Sequence, residues 1–312
     1  MANEHAKCLK TLGLNISCVL SKEGSKTVDK FSTLHNIKHK FLNINETLVK
    51  KDLWDAAIVC CKEELTFSFL EKLTQTKKPL LAEKPISKDP LELEKIIPNK
   101  NIIVGFNRRF YSNILYLKSI LKKKNIDLVK ICLPESNITG FQNNKSLPRL
   151  VYSNSIHLFD LLHYLFGNIV WQSSIQSKQK NLLKSASLLG LNKNKINFAL
   201  DLPLNYPDNF SITVYAGKSR YVLKPLEMLK VYQGMDVHEP SKSVPHRIYK
   251  PRLKSSIIAN SIGNHKTGLL EQDKSFVKFC ISKKSDNRLS NITDLKAALN
   301  SILEIEELLK TK

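Results

Sequence analysis

The sequence predicts a two-domain α/β protein, in which a doubly wound parallel sheet is followed by an α+β domain with an open antiparallel sheet. Short apolar runs alternate with helix-like stretches in the first third of the chain, which is typical of parallel strands joined by crossover helices. From Arg108 onward, strand-like pieces follow one another across short polar turns, as in an antiparallel sheet. The predicted domains are residues 1–107 and 108–312. With 42% hydrophobic residues, a chain of 312 residues can bury a core in each domain.

The first domain opens on a helix that has no strand before it. Apolar positions in the first 12 residues recur at helical spacing, Gly13 breaks the pattern, and residues 16–20 read as a strand. A helix that feeds a strand in such a sheet normally follows a strand, so we expect the sheet to lack its first strand. Further strands are predicted at 40–42, 55–61, 79–85 and 101–107, and helices at 27–35, 46–51, 64–74 and 90–97.

The second domain is predicted to combine a few helices with many strands. Helices are expected at 113–124, 155–166 and 292–309, because apolar residues recur there at helical spacing. Strands are expected at 128–133, 172–176, 185–189, 196–202, 210–216 and 220–223. The short polar turns between these strands favour antiparallel neighbours.

Cysteine usage and hydropathy point to a cytoplasmic protein. No apolar run approaches the ~18 residues of a membrane-spanning helix, and the first residues show no basic segment followed by an apolar core. The six cysteines include no CxxC pair, which suits reduced, buried thiols. Cys60 and Cys61 are adjacent but lack a second ligand cluster at a suitable spacing. Strand packing is therefore the favoured interpretation of this pair, and no metal site is predicted.

The formal net charge of +21 raises the question of nucleic acid binding. Only seven of the 49 basic residues are arginine, and the lysines are spread along the whole chain. Base reading favours arginine in a localised patch. We therefore favour a solvated surface and predict no specific nucleic acid partner, with a lysine-rich polyanion binder as a weaker alternative. The positive electrostatic field of such a surface would also attract an anionic substrate.

Two short motifs carry the candidate chemistry. In LLAEKPISKD, Glu83, Lys84 and Pro85 follow a predicted buried strand, at the edge where open parallel sheets bind ligands. A lysine on a low-dielectric wall there can donate to a substrate oxygen or shuttle a proton, whereas a lone Lys-Pro pair is more often solvated. In SNSIHLFDLLHYLFG, His157 and Asp160 lie three residues apart, near one another on one face of an apolar helix. A histidine at a helix start is by itself more often structural.

The order of these motifs resembles the Gfo/Idh/MocA family of nicotinamide-dependent sugar oxidoreductases. The resemblance rests on a parallel-sheet domain, EKP after one strand, GFNRRF after the next and an antiparallel domain beyond, and it extends over nearly all of the chain. It implies a Rossmann-like first domain that binds NADP or NAD, and a second domain for substrate binding and oligomerisation. It also implies hydride transfer to or from a sugar or sugar nucleotide, and a homo-oligomer.

The family's cofactor turn is only partly represented at the start of the chain. Aligned on His5, which matches a frequent histidine of the family, Ala2 takes the last small position of the glycine-rich turn. The first strand and both leading glycines, which let the backbone approach the pyrophosphate, are absent. We therefore expect Met1 to be an internal methionine of a longer natural protein.

Other cofactor contacts are implied further along the first domain. Ser21 and Lys22 stand where NAD-preferring domains usually carry an acidic residue, which favours NADP, although a plain surface turn is the alternative. Cys60 lies where the family has a TPxxxH loop, whose threonine, proline and histidine are all replaced here. The implied cofactor-binding residues are Ala2, His5, Ser21, Lys22, Cys60, Glu83, Lys84 and Pro85.

The resemblance also implies the reacting residues. Lys84 would polarise or deprotonate the substrate oxygen, and His157, which matches the family's DxxxHxxDL pattern, would be the general acid/base. Asp160 or Tyr152 would relay the proton. Ser153 replaces the aspartate of that pattern, and a serine cannot act as a charged partner of His157.

Substrate contacts are implied for Asn107, Arg108, Tyr152 and Ser153. Ion pairing between the domains is an equally good interpretation of Arg108 and Arg109. The alternative function is a non-catalytic or truncated family member that binds a sugar or a partner subunit. The missing strand, the missing glycines and the replaced aspartate and TPxxxH loop support this alternative.

Overall fold

The computed structural model describes residues 1–22, 24–135, 154–179, 182–284 and 286–310. It divides into two compact units. The first unit contains Met1–Phe110 and Ser261–Asn300, and the second contains Tyr111–Asn260 and Ser301–Lys312. The predicted domain boundary between residues 107 and 108 stays a prediction. The first unit also contains Ser261–Asn300, a segment near the end of the chain.

The elements are numbered here in chain order. The helices are α1 (Ala2–Thr11), α2 (Val28–His35), α3 (Ile44–Val49), α4 (Glu63–Leu73), α5 (Pro90–Ile96), α6 (Ser112–Leu121), α7 (Ile156–Phe166), α8 (Leu269–Ser282) and α9 (Ile292–Lys310). The strands are β1 (Cys18–Leu20), β2 (His39–Phe41), β3 (Ala57–Val59), β4 (Leu80–Ala82), β5 (Ile102–Val104), β6 (Ile126–Cys132), β7 (Ile169–Gln179), β8 (Leu182–Asn192), β9 (Asn197–Pro203), β10 (Ser211–Ala216), β11 (Ser219–Leu223), β12 (Met228–His238) and β13 (Ile248–Ile258).

The first unit is a Rossmann-like arrangement of parallel strands and helices. One sheet has two strands, β1 and β2, and the other has three, in the order β3-β4-β5, with every pair parallel. All three residues of β4 and of β5 are buried, as expected for parallel strands covered on both faces. Among the described residues, no strand joins β1 to β3. Within the described part of the chain, these parallel strands therefore form two separate sheets.

The second unit is built on one large sheet of eight strands, in the order β13-β12-β11-β10-β6-β9-β8-β7. Every pair is antiparallel except β6 with β9, where Leu128 pairs with Asn197. The sheet is therefore antiparallel at every pair but this one. Between β6 and β9 the chain includes α7 and the β7–β8 pair, and a parallel pair needs such a long crossover connection.

Candidate active site at the carboxyl ends of the parallel strands

Three ionisable side chains from distant parts of the sequence meet in the first unit. His5 on α1 contacts Asp273 on α8, with its Nδ1 atom 2.9 Å from Oδ2 and 3.0 Å from Oδ1. The other ring nitrogen, Nε2, lies 3.0 Å from Oε1 of Glu83, which directly follows β4. The side chains of His5 and Asp273 are 2% and 0% exposed, and that of Glu83 is 13% exposed.

The geometry fits His5 as an imidazolium between two ionised carboxylates. A carboxylate only accepts hydrogen bonds, and a neutral imidazole has one N–H, so only the protonated ring can donate to a carboxylate from both nitrogens. Burial lowers the pKa of His5, but hydrogen bonds with Asp273, Cys60 and Glu83 and the charge of Asp273 outweigh it and raise the pKa to about 12. Burial raises the pKa of the Asp273 carboxyl, and the imidazolium opposes that rise. His5 therefore places a buried positive charge between the carboxylates of Asp273 and Glu83.

Glu83 is held at this place by the backbone of the strands on either side. Its N–H donates to the carbonyl of Val59 at 2.9 Å, which extends the β3–β4 ladder by one residue. Gly105 makes room for its side chain, because a Cβ atom there would lie 3.0 Å from Oε1 of Glu83 and 3.3 Å from the Ala82 carbonyl. The GFN sequence after β5 therefore contributes a close approach that only glycine permits without a shift.

Lys84 follows Glu83 at the carboxyl end of β4, the central strand of its sheet. Burial lowers the pKa of Lys84, the charge of Glu83 opposes this, and the charges of Arg108 and Lys266 lower it further. A lysine with a lowered pKa exchanges a proton with a substrate oxygen more readily than an ordinary lysine does. Pro85 comes next, after a cis peptide bond.

Asn107 and Arg108 lie in the 3₁₀ turn Asn107–Phe110, just beyond β5. Asn107 is buried, and its amide donates to the Thr267 carbonyl at 2.9 Å. Arg109, in the same turn, forms an ion pair with Asp294 at 3.1 Å. Both members of this pair belong to the first unit, as does the contact of Asn107 with Thr267.

The other residues predicted to contact a cofactor lie just beyond strand ends or at the start of α1. The Ser21 N–H donates to the Phe41 carbonyl at 3.0 Å, just beyond β1, and the side chain of the next residue, Lys22, is exposed. Cys60 follows β3 and hydrogen-bonds His5. Ala2 is the first residue of α1, whose N-terminus has no side-chain cap. These residues come from the ends of β1 and β3 and from the start of α1.

The second unit contains the other predicted catalytic residues. His157 and Asp160 are both on α7 and both buried, at 8% and 0% exposure. Just before this helix, the Ser155 hydroxyl donates to the Glu135 carboxyl. Burial raises the pKa of Glu135 to about 7. Two further predicted residues, Tyr152 and Ser153, lie outside the described part of the chain.

Sequence reasoning missed Asp273, Gly105 and Glu135. Asp273 lies in α8, a helix that the sequence analysis did not predict, although Leu269, Phe276 and Phe279 show helical spacing. Gly105 was within the quoted GFNRRF motif, and a glycine directly after a buried strand is a signal of close approach.

Within the described residues, no group of three or more His, Cys, Asp or Glu side chains could hold a metal ion. Nor does any helix in the described ranges have the length and apolar character needed to cross a membrane.

Solved structures share this fold over nearly the full length of the chain. UDP-N-acetylglucosamine 3-dehydrogenase from Acidithiobacillus ferrooxidans is 12% identical, with a TM-score of 0.72 and coverage of 97% of this chain and 92% of that one. Levoglucosan dehydrogenase, solved with NADH and levoglucosan, is 12% identical, with a TM-score of 0.75 and coverage of 99% and 94%. An oxidoreductase from Agrobacterium radiobacter, solved with NAD+, L-tartaric acid and magnesium, is 11% identical, with a TM-score of 0.73 and coverage of 97% and 91%.

The likeness is one of fold. The structural neighbours are dehydrogenases and oxidoreductases with the same two-domain architecture. Comparison with models of known protein families gives no match, and neither does comparison with curated proteins.

Proposed function

We propose that this protein is an NAD(P)-dependent oxidoreductase of the Gfo/Idh/MocA family that acts on a sugar or sugar nucleotide. The observation that carries the proposal is Lys84, a half-buried lysine with a lowered pKa at the carboxyl end of a central parallel strand. The fold shared with sugar-active dehydrogenases such as levoglucosan dehydrogenase supports it. We also propose that the protein forms a homo-oligomer and that it is located in the cytoplasm.

Lys84 is proposed to exchange a proton with the substrate oxygen at the carbon that is oxidised or reduced. Its lowered pKa increases the fraction of neutral amine, which can accept a proton from a hydroxyl during oxidation. Glu83 supports this role from the adjacent position. The His5 imidazolium contacts the Glu83 carboxylate at 3.0 Å, and the Glu83 N–H donates to the Val59 carbonyl. Glu83, the residue before Lys84, is therefore fixed by a side-chain and a backbone hydrogen bond.

The residues of the first unit fit a nicotinamide dinucleotide along the carboxyl ends of the strands. The uncapped N-terminus of α1 offers backbone N–H groups to an anion, and Ala2 opens that helix. Ser21 and Lys22 can hydrogen-bond and neutralise a 2′-phosphate, so NADP is proposed over NAD. Cys60, Glu83, Lys84 and Pro85 would line the nicotinamide side. When bound, the cofactor supplies a hydride-accepting or hydride-donating carbon.

His157, in the second unit, is proposed as a general acid/base. Asp160, or Tyr152, would relay the proton to or from His157. Asn107, Arg108, Tyr152 and Ser153 are proposed to contact the substrate. Because Ser153 carries no charge, His157 would act without a carboxylate at that position.

Turnover by single variants tests the catalytic proposal. The full chain would be assayed with NADPH and NADH against a panel of UDP-sugars, free sugars and inositols, following nicotinamide absorbance. Lys84→Ala and His157→Ala should each lower kcat by about 100-fold or more, which is the usual contribution of a general acid/base. Lys88→Ala, an exposed lysine on the same loop, is the matched control and should keep the wild-type rate. Wild-type rates in either catalytic variant would refute its assigned role.

A non-catalytic binding protein is the second candidate function. The observation that favours it is that, among the described residues, no strand joins β1 to β3. Titration of the full chain with NADPH and NADH, followed by cofactor fluorescence, distinguishes the oxidoreductase from the non-catalytic binding protein. Micromolar binding of either supports the oxidoreductase, whereas binding of a sugar without either cofactor supports the second candidate.

A further inference from the structure

Three cationic side chains meet at one edge of the β3-β4-β5 sheet and form what is called here the three-cation cluster. Lys84 follows β4, Arg108 follows β5, and Lys266 precedes α8. All three lie in the first unit. Lys266 has no role in the proposed function, and no local sequence motif connects it with the other two residues.

Contacts between neighbouring residues bring the three segments together. The Asn107 amide donates to the Thr267 carbonyl at 2.9 Å, so that Arg108 and Lys266 each lie next to a member of this hydrogen bond. Strands β4 and β5 are parallel neighbours, so Lys84 and Arg108 leave the sheet at the same edge. The cluster is therefore fixed by the sheet on one side and by the start of α8 on the other.

The pKa of Lys84 shows that the charges of the cluster act on one another. Burial is the largest cause of the lowered pKa of Lys84, and the charges of Arg108 and Lys266 lower it further. The charges of Glu83 and Glu63 act in the opposite direction. Repulsion among the three cations disfavours the charged cluster, and a nearby anion would relieve it.

Both of these carboxylates already contact another cation. Oε1 of Glu83 lies 3.0 Å from Nε2 of His5, and Oε1 of Glu63 lies 3.0 Å from Nζ of Lys88. Because the His5 imidazolium also pairs with Asp273, this set of charges has a small negative excess. The three-cation cluster outweighs that excess, so these charges together leave the edge of the sheet positive.

We propose that the three-cation cluster binds an acidic group of the substrate, so that the sugar carries a carboxylate or a phosphate. Arg108 and Lys266 hold the acidic group, and the sugar ring lies beside Lys84. Guanidinium and ammonium groups form stronger hydrogen bonds with carboxylate or phosphate oxygens than with neutral hydroxyls. This inference deepens the proposed function and rests on it.

The cofactor pyrophosphate is the competing anion. Lys266 lies near the start of α1, where its Nζ atom is 3.9 Å from Sδ of Met1, and the proposed function places an anion at that helix end. Lys84, however, belongs to the nicotinamide side of the proposed cofactor site, and the oxidised nicotinamide ring is itself positively charged. An acidic substrate would compensate both this ring and the cluster, whereas a pyrophosphate at α1 would not reach the reacting carbon.

Binding to the full chain provides the test. D-glucose is the neutral reference, and D-glucuronate, D-glucose 6-phosphate and UDP-glucose present a carboxylate, a phosphate monoester and a diphosphate. Each would be titrated by calorimetry with and without saturating NADP+, and NADPH binding would be measured separately by fluorescence. The variants are Lys266→Gln and Arg108→Gln, and Lys274→Gln, at an exposed position of α8, is the matched control. Because Lys266 is exposed, its substitution disturbs no packed core.

We expect at least one of the three acids to bind about tenfold or more tightly than glucose, as charge-assisted hydrogen bonds predict. Lys266→Gln and Arg108→Gln should each remove most of this preference, and Lys274→Gln should keep it. Raising NaCl to about 300 mM should weaken binding of the acid and leave glucose unchanged, because salt screens the attraction.

Several results would overturn the proposal. Equal affinities for glucose and all three acids would do so and would leave the proposed function in place. A preference that survives both Lys266→Gln and Arg108→Gln would place the acidic group elsewhere. Weaker NADPH binding by Lys266→Gln with an unchanged acid preference would assign the cluster to the cofactor pyrophosphate. Acid binding that the variants abolish, in a chain that binds neither NADP+ nor NADPH, would support the acid site and refute the oxidoreductase.

Discussion

At the residue scale, His5 determines the charge of the buried cluster. Both ring nitrogens face carboxylates, and the pKa of about 12 keeps the ring protonated across the physiological range. Its folded pKa is above the unfolded value of 6.5, so the stability it adds is complete below pH 6.5 and declines as the pH rises toward 12. At neutral pH His5 thus contributes to stability as a cation.

We predict that His5→Gln lowers the free energy of unfolding at pH 7 by about 3–5 kcal/mol, because it leaves buried carboxylates without their cationic partner. Urea unfolding would measure this. His39→Gln, at an exposed position on β2, is the matched control and should change stability by less than about 0.5 kcal/mol. In ¹⁵N spectra of the wild-type chain, His5 should keep both ring protons at pH 9. A His5 ring that loses a proton below pH 8 would contradict the imidazolium assignment.

Glu135 should give the protein the opposite kind of pH dependence from a salt-bridged acid. Burial raises its pKa from 4.5 to about 7 in the folded state. The folded protein therefore binds a proton more tightly than the unfolded chain, and stability falls as the pH rises from 4.5 to 7. The full effect is about 3 kcal/mol by linkage, which is an order-of-magnitude figure.

We predict that Glu135→Gln is about as stable as the wild type at pH 4 and more stable at pH 8, by up to about 3 kcal/mol. The amide keeps a polar partner for the Ser155 hydroxyl and removes the cost of burying a charge. Unfolding free energies at both pH values check this, with Asp127→Asn, an exposed carboxyl on β6, as the control. A variant that is less stable than the wild type at pH 8 would show that the ionised carboxylate has a stabilising partner.

At the element scale, the sequence predicts most strands and helices of the first unit, because continuous apolar runs and turn residues identify them. Strands β3, β4 and β5 lie inside the predicted ranges, and each has only three residues. The sequence analysis missed α8, β12 and β13. Strands β12 and β13 carry mostly partly exposed or exposed residues along their length, so a buried face does not mark them as strands.

Only those residues of the candidate site that belong to a local sequence motif could be predicted. EKP after a strand locates Lys84, and the apolar helix locates His157. The pairing of His5 with Asp273 joins residues 268 positions apart, and nothing local to either residue indicates it. The parallel β6–β9 pair was missed for the same reason, since it depends on a long connection and not on the pattern of either strand.

Packing between α1 and α8 should contribute as much to the site as its polar groups do. Cys8 on α1 and Leu269 and Leu270 on α8 form a buried apolar cluster, and both Cys8 and Leu269 are 0% exposed. We predict that Leu269→Ala costs about 2–5 kcal/mol, the usual range for a buried leucine. Urea unfolding would measure it, with Ile281→Ala at a 79% exposed position of the same helix as the control. A cost below 0.5 kcal/mol for Leu269→Ala, as expected for the control, would mean that α8 does not anchor α1.

At the scale of the whole molecule, the net charge of +21 opposes the folded state through repulsion among like charges. The described surface also contains ion pairs, such as Arg247 with Glu239 and Arg252 with Asp236, that salt weakens. Exposed pairs contribute only about 0–1 kcal/mol each. Screening should therefore remove more repulsion than attraction, so that salt stabilises the protein.

We predict that Tm rises by a few degrees between about 10 and 300 mM NaCl, since the Debye length falls from ~30 Å to below 10 Å over that range. Differential scanning calorimetry would follow the transition, and sucrose at equal osmolarity is the control for effects other than screening. Choline chloride should act like NaCl at equal ionic strength, because screening does not depend on the identity of a monovalent cation. A fall in Tm with salt would show that the ion pairs outweigh the net repulsion, and the excess of lysine would then have to be locally paired and not spread over a solvated surface.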